Sequence, residues 1–350
     1  MKIAQLQEFL RREKIDAALF VNLEHKEDAA ILYFTQIRVD LGALLVPANG
    51  KPVLLIPGFE YDRIKKIAPC AVEPAVPVFE SIKKKLSGLK RVGVTGDVFS
   101  IAEQRLLGSG TEFVDIGEHL AVLRTQKTPA EQKLIAESCA IACKILNEFI
   151  PTLPTFKTEE AAARELARKT AEAGCTLAFP PIVASGANGA TPHHIPHGKL
   201  NKGFCVIDFG VRWKGYCSDI TRTVFLGKPT AADRKWYGLV LRVQEKALGK
   251  LRPGADHTRI DAQARKDFGA HKKNFVHRLG HSVGLRVHDS TPRAMSEKAV
   301  MREGMVWTVE PGLYFPGKLG IRIEDTALVT KTGNSVLTAG TPKKFRAVSA

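Results

Sequence analysis

The chain has 350 residues, 44% of them hydrophobic, and a formal charge of +16 at neutral pH. Length and apolar content suit two soluble domains with real cores, and no apolar run approaches the roughly 18–20 residues of a membrane span. The charge invites nucleic-acid binding, but the lysines fall in short scattered runs such as Lys83 to Lys85 and aromatics are only 7% of the chain, so a solvated basic surface is the better reading.

From the N-terminus, Leu6, Phe9 and Leu10 recur at helical spacing among charged residues, which predicts a helix over Ile3 to Arg12 and not a secretion signal. A buried strand ends at Val21. The runs LGALLVP and PVLLIP flank Asn49-Gly50, a hairpin signal. A helix near Tyr61 to Ile67, a strand over Val92 to Thr95 and a helix near Ala102 to Leu107 complete a small α/β domain, residues 1–122. It holds two histidines, His25 and His119, with no acidic cluster beside either.

A second domain, 123–350, opens with Thr128-Pro129-Ala130-Glu131, a capping box with proline at the first helical position. It predicts a long helix through Phe149. After the break at Pro151 to Pro154, a second helix covers Glu159 to Ala173. Beyond it the chain reads as strand-rich and carries eight of the ten histidines. The six cysteines form no CxxC pair and several sit in apolar runs, as buried reduced thiols of a cytoplasmic protein would.

Two hairpins in this domain carry acids where apolar residues belong. In CVIDFGVRWKGYCSDITRTVFLG, Asp208 interrupts an apolar run and Asp219 lies in the returning strand. With Trp213 and Lys214 as the loop the two face each other, and with Lys214 and Gly215 they are diagonal neighbours. Either register puts both on one face, where they need a cation, a proton or an arginine. The second hairpin runs from MVWTVEPGLYF through Pro316-Gly317 into GIRIEDTALVT, with Glu310 and Glu324 as its acids and Arg322 on the face of Glu324. Between the hairpins, VHRLGHSVGLRVHD places His277, His281 and His288, with Gly280 and Gly284 bracketing His281 so that backbone can approach closely. Four carboxylates and an imidazole carry too much negative charge for one ion and suit two. This hard set favours Mn²⁺ or Co²⁺, with Zn²⁺ or Fe²⁺ as alternatives.

These motifs, with ASGANGATPHHIPH before them and in this order, resemble the pita-bread metallopeptidase family, in its Xaa-Pro aminopeptidase and prolidase branch. The resemblance implies an α/β N-terminal domain of creatinase type and an α+β pita-bread catalytic domain of two pseudo-symmetric αββ halves. It implies that Asp208 chelates one metal, His281 and Glu310 the other, and that Asp219 and Glu324 bridge both. His193 and His288 would contact the substrate carbonyl, and Arg293 resembles the arginine that binds a dipeptide's carboxylate. Two departures stand out: Ser282 replaces the second glycine of GHG, and HDSTPR is one residue longer than the prolidase pattern.

The expected reaction is hydrolysis of the N-terminal Xaa-Pro bond of dipeptides or short peptides by a metal-bridging hydroxide, with Glu310 moving the proton. Phe179 and Ile195 are candidates for the proline pocket. His194 and His197 read as loop residues, His257 and His271 as surface, and His277 as packing or support. The family's creatinase-like amidinohydrolases lack the metals, and its inactive RNA- or protein-binding members lose ligands. Keeping all five residues argues against both. A homodimer is expected by analogy alone.

Overall fold

A computed structural model describes residues 2–108, 110–289 and 300–349. The chain forms two compact units, Met1–Leu123 and Arg124–Ala350.

In the first unit, β1 (Ala17–Asn22), β2 (Gly42–Pro47), β3 (Val53–Ile56), β4 (Ala71–Pro74), β5 (Arg91–Val94) and β6 (Glu112–Asp115) form one mixed sheet ordered β4-β3-β2-β1-β5-β6. β1 lies inside the sheet, antiparallel to β2 and parallel to β5, and every residue in it is buried, so its sequence is apolar without alternation. β2 and β3 make the expected hairpin, but pairing stops at Leu45↔Val53, so Asn49-Gly50 lies within a longer loop. β4 and β6 gave no sequence signal because each is short and half-exposed. The helices Ala29–Thr35, Val78–Leu86 and Gly117–Thr125 are also additional to those expected.

The second unit opens with the helix Pro129–Phe149. Thr128 accepts from the Glu131 N–H, and Glu131 accepts in return from the Thr128 N–H at 2.9 Å. This helix packs on the helix Glu159–Glu172. Both lie against a hairpin whose long strands are β9 (Gly203–Phe209) and β12 (Ile220–Leu226). β8 (Ile182–Ser185) and β18 (Ala347–Val348) flank them. Between the long strands the hairpin continues as β10 (Val211–Trp213) and β11 (Tyr216–Cys217), to which β7 (Thr176–Leu177) is added. Trp213 pairs with Tyr216, and Lys214 and Gly215 have φ of 48° and 89°. That is a two-residue turn with both central residues left-handed, which suits the strand twist.

Two helices, Ala231–Leu248 and His257–Asp267, follow in a region that the sequence suggests is strand-rich. Thr230 and Asp233 cap the first, and Tyr237, Val240, Val243, Gln244 and Ala247 form its buried face. The second hairpin pairs β13 (Val306–Val309) with β16 (Asp325–Val329) and β14 (Gly312–Phe315) with β15 (Leu319–Arg322). β17 (Asn334–Val336) extends it. One apolar cluster, around Phe149, Leu166, Ile207 and Ile220, lies under the first half. Another, around Val243, Phe268, Trp307 and Ile321, lies under the second. The unit is thus two halves of helices plus hairpin, the pita-bread arrangement.

Candidate metal centre

The first hairpin's register sets Asp208 opposite Thr221, so Asp219 is its diagonal neighbour. This is the second of the two registers open from sequence. In the second hairpin, Val309 pairs with Asp325 and Gly312 with Arg322, and carrying that register inward sets Glu310 opposite Glu324. The hairpins join at the acids. The Glu324 N–H donates to the Thr221 carbonyl at 3.1 Å, and the Thr326 hydroxyl donates to the Asp219 carbonyl at 2.7 Å.

His281 arrives on a segment pressed against this junction. A Cβ on Gly280 would lie 1.9 Å from the Thr308 carbonyl oxygen, and one on Gly284 would lie 2.1 Å from Asp289 Oδ2. Only glycine permits that approach. The His281 N–H donates to the Thr308 hydroxyl at 3.0 Å, and Nδ1 donates to the Ser282 carbonyl at 3.2 Å. The lone pair of Nε2 is therefore left facing Asp219 Oδ2 at 3.5 Å and Glu310 Oε1 at 3.4 Å.

An imidazole lone pair aimed at two carboxylates is repulsive unless positive charge lies between them. Asp208 Oδ1, Asp219 Oδ1 and Glu324 Oε1 are buried and have no hydrogen-bond partner among the described residues. Burial, reinforced by the neighbouring carboxylates, pushes the Asp219 and Glu324 carboxyls well above the usual range. Burial also raises that of Glu310. Asp219, His281 and Glu324 present ligand atoms within 4.8 Å of one another. Orphaned anionic oxygens around one imidazole are what divalent cations satisfy, and four acids are enough for two.

The cavity above them, of about 550 Å³, is lined by all five of these residues and by Phe179, Pro180, Ile182, Pro192, Trp307 and other side chains. Its floor is braced. Arg322 donates to Asp208 Oδ2 at 2.7 Å and to the Tyr314 hydroxyl at 2.8 Å, and that hydroxyl meets His277 Nε2 at 2.8 Å. Thr221 donates to Glu324 Oε2 at 2.7 Å. His277 is thus a support, its pKa drawn down to about 4 by burial. Ser282 is buried and turned from the cavity, and its hydroxyl accepts from Lys127 Nζ at 3.0 Å. Arg322, which the sequence places on the face of Glu324, holds Asp208 instead, and its partner Tyr314 and the buried Lys127 had no flag in the sequence, since only the fold brings them to the site.

His193 and His288 both line the cavity and are exposed to it. The His288 ring lies 3.9 Å from that of His281 with the two planes tilted by 49°, and burial with two neighbouring imidazoles lowers its pKa to about 4. Phe179 lines the cavity, but Ile195 does not. It is 81% exposed, on the solvent side of its loop. His257, expected on the surface, is instead buried against Trp307 in the cavity wall, because it starts a helix whose apolar face includes Ile260 and Ala264. His194, expected in a loop, is in one but is buried. Arg293 lies outside the described residues.

The model of metallopeptidase family M24 matches residues 133–331, and that of the creatinase/prolidase N-terminal domain matches residues 2–126. The chain belongs to metallopeptidase family M24. Within it, the chain is 32% identical to an Xaa-Pro dipeptidase of Pyrococcus horikoshii over 345 residues, 96% of each protein. Among solved structures, this M24 chain superposes on the Xaa-Pro dipeptidase of Bacillus anthracis with a TM-score of 0.90 at 27% identity, covering 99% of both. It superposes on the X-Pro aminopeptidase of Thermotoga maritima with a TM-score of 0.87 at 28% identity, covering 98% of this chain and all of that one. The M24 protein is a metal-dependent hydrolase with a dinuclear centre.

Proposed function

We propose that this M24 protein removes the first residue from dipeptides or short peptides with proline in second position. Catalysis is assigned to residues 123–350, with 1–122 as the creatinase-type domain. The observation that carries the reading is the set of three buried, unpartnered carboxylate oxygens beside a free imidazole lone pair. Asp208 would hold one metal, His281 and Glu310 would hold the other, and Asp219 and Glu324 would be shared between them. Ions of the Mn²⁺ or Co²⁺ type bound there would supply Lewis acidity toward the scissile carbonyl and toward a water.

Around that chemistry the side chains divide the work. Glu310, supported by the Thr308 hydroxyl at 3.2 Å, takes the water's proton and delivers it to the leaving proline nitrogen. His193 and His288 face the cavity and donate to the oxygen on which negative charge develops. Proline's tertiary amide offers no N–H, so the apolar wall of Phe179, Pro180, Ile182 and Pro192 suits it without a hydrogen-bonding slot. Arg293 is proposed to take the carboxylate of a dipeptide, and the active species to be a homodimer.

The test compares Ala-Pro with Ala-Pro-Ala on metal-loaded protein. Cleavage of Ala-Pro alone identifies a dipeptidase, cleavage of both an aminopeptidase, and cleavage of neither contradicts the reading. Asp219→Asn is expected to abolish turnover while leaving the fold intact by circular dichroism.

A further inference from the structure

Glu159 begins the helix Glu159–Glu172, is wholly buried, and does not line the catalytic cavity. Its Oε1 accepts from the Ser185 N–H at 2.6 Å, the Ser185 hydroxyl at 2.7 Å and Asn188 Nδ2 at 3.1 Å. Its Oε2 accepts from Asn188 Nδ2 at 3.1 Å, His194 Nε2 at 2.7 Å and the His197 N–H at 3.2 Å. Glu159, His194 and His197 also bring ligand atoms within 4.8 Å of one another. A carboxylate has about four lone-pair sites, however, and these donors occupy them, so the group is a clamp and not an ion site.

What it clamps is the segment that carries His193. Ser185 and Asn188 precede that residue, and His194 and His197 follow it. His194 turns inward to Glu159, and the adjacent His193 turns outward into the cavity. Arg322, which grips Asp208, reaches the Pro192 carbonyl at 3.3 Å from the other side. We infer that Glu159 is the positioning residue for His193, fixing both ends of its segment through one buried carboxylate. The inference rests on the role proposed above for His193. An amide in place of the carboxylate would aim its own N–H groups at donors, so neutralisation alone should release the segment.

The experiment is a double-mutant cycle on metal-loaded protein, with Ala-Pro turnover and bound metal measured for wild type, Glu159→Gln, His193→Ala and the double variant. Glu159→Gln is expected to lower kcat by roughly 100-fold, the loss that follows when a reacting contact is misplaced by about 1 Å. KM and metal content should change little. In the His193→Ala background the same substitution should cost no more than about twofold, since both act through one contact. His194→Gln, which keeps a donor, should retain activity that His194→Leu loses. This pair carries the test if Glu159→Gln does not fold. Equal losses in both backgrounds, or loss of bound metal, would overturn the inference. If His193→Ala itself leaves kcat unchanged, the role of His193 fails first and takes the inference with it.

Discussion

Thr221 illustrates how a single side chain serves the centre without being part of it. Its hydroxyl donates to Glu324 Oε2 at 2.7 Å and accepts from Arg322 Nε at 3.1 Å, so one atom orients a proposed bridging acid and the arginine that braces Asp208. Thr221→Val keeps the shape and removes both bonds. It is expected to weaken metal binding by about 10–100-fold, measured by competition with a chelator, and unchanged affinity would contradict the brace. Gly280 tests the packing. A methyl group there meets the Thr308 carbonyl at 1.9 Å, so Gly280→Ala should destabilise the protein by about 1–3 kcal/mol, read by denaturation with the metals chelated. The acids were legible in sequence because a carboxylate inside an apolar strand is itself an anomaly. Their supports were not, because Thr221, Tyr314 and Lys127 are ordinary residues until the fold sets them beside a ligand. His257 misled for the same reason: its chemistry suggests solvent, whereas its helix buries it.

At the scale of elements, two hairpins decide the arrangement, and each register hangs on its turn. Lys214 and Gly215 both have positive φ. Gly215→Ala should cost about 1–2 kcal/mol, the penalty for a side chain in left-handed backbone, and thermal denaturation would reveal it. The turn chemistry left two registers open in the sequence, separated only by which residues tolerate that conformation. Helix starts were easier to read where they follow the full pattern. Thr128 with Pro129 and Glu131 marked its helix to the residue, but Thr230 with Asp233, the shorter acid, introduced a helix that strand-like surroundings concealed. Thr230→Ala should lower stability by about 1 kcal/mol with kcat unchanged, since that helix contributes nothing to the cavity lining among the described residues. The strands β4 and β6, half-exposed and four residues each, offered too little alternation to find.

For the whole molecule, the second unit is a pair of apolar cores with buried acids where their hairpins meet, and that junction is electrostatically unfavourable until cations occupy it. Metal binding should therefore stabilise the fold as well as supply chemistry. At about 100 times its dissociation constant a ligand adds about 2.7 kcal/mol, so chelation should lower the melting temperature and added Mn²⁺ should restore it. The most direct measurement is a titration of chelated protein with Mn²⁺, following Ala-Pro hydrolysis against metal bound per chain. The expected result is no turnover in the metal-free protein and a rate that saturates at two ions per chain. A rate independent of metal, or saturation at a single ion, would contradict the dinuclear centre.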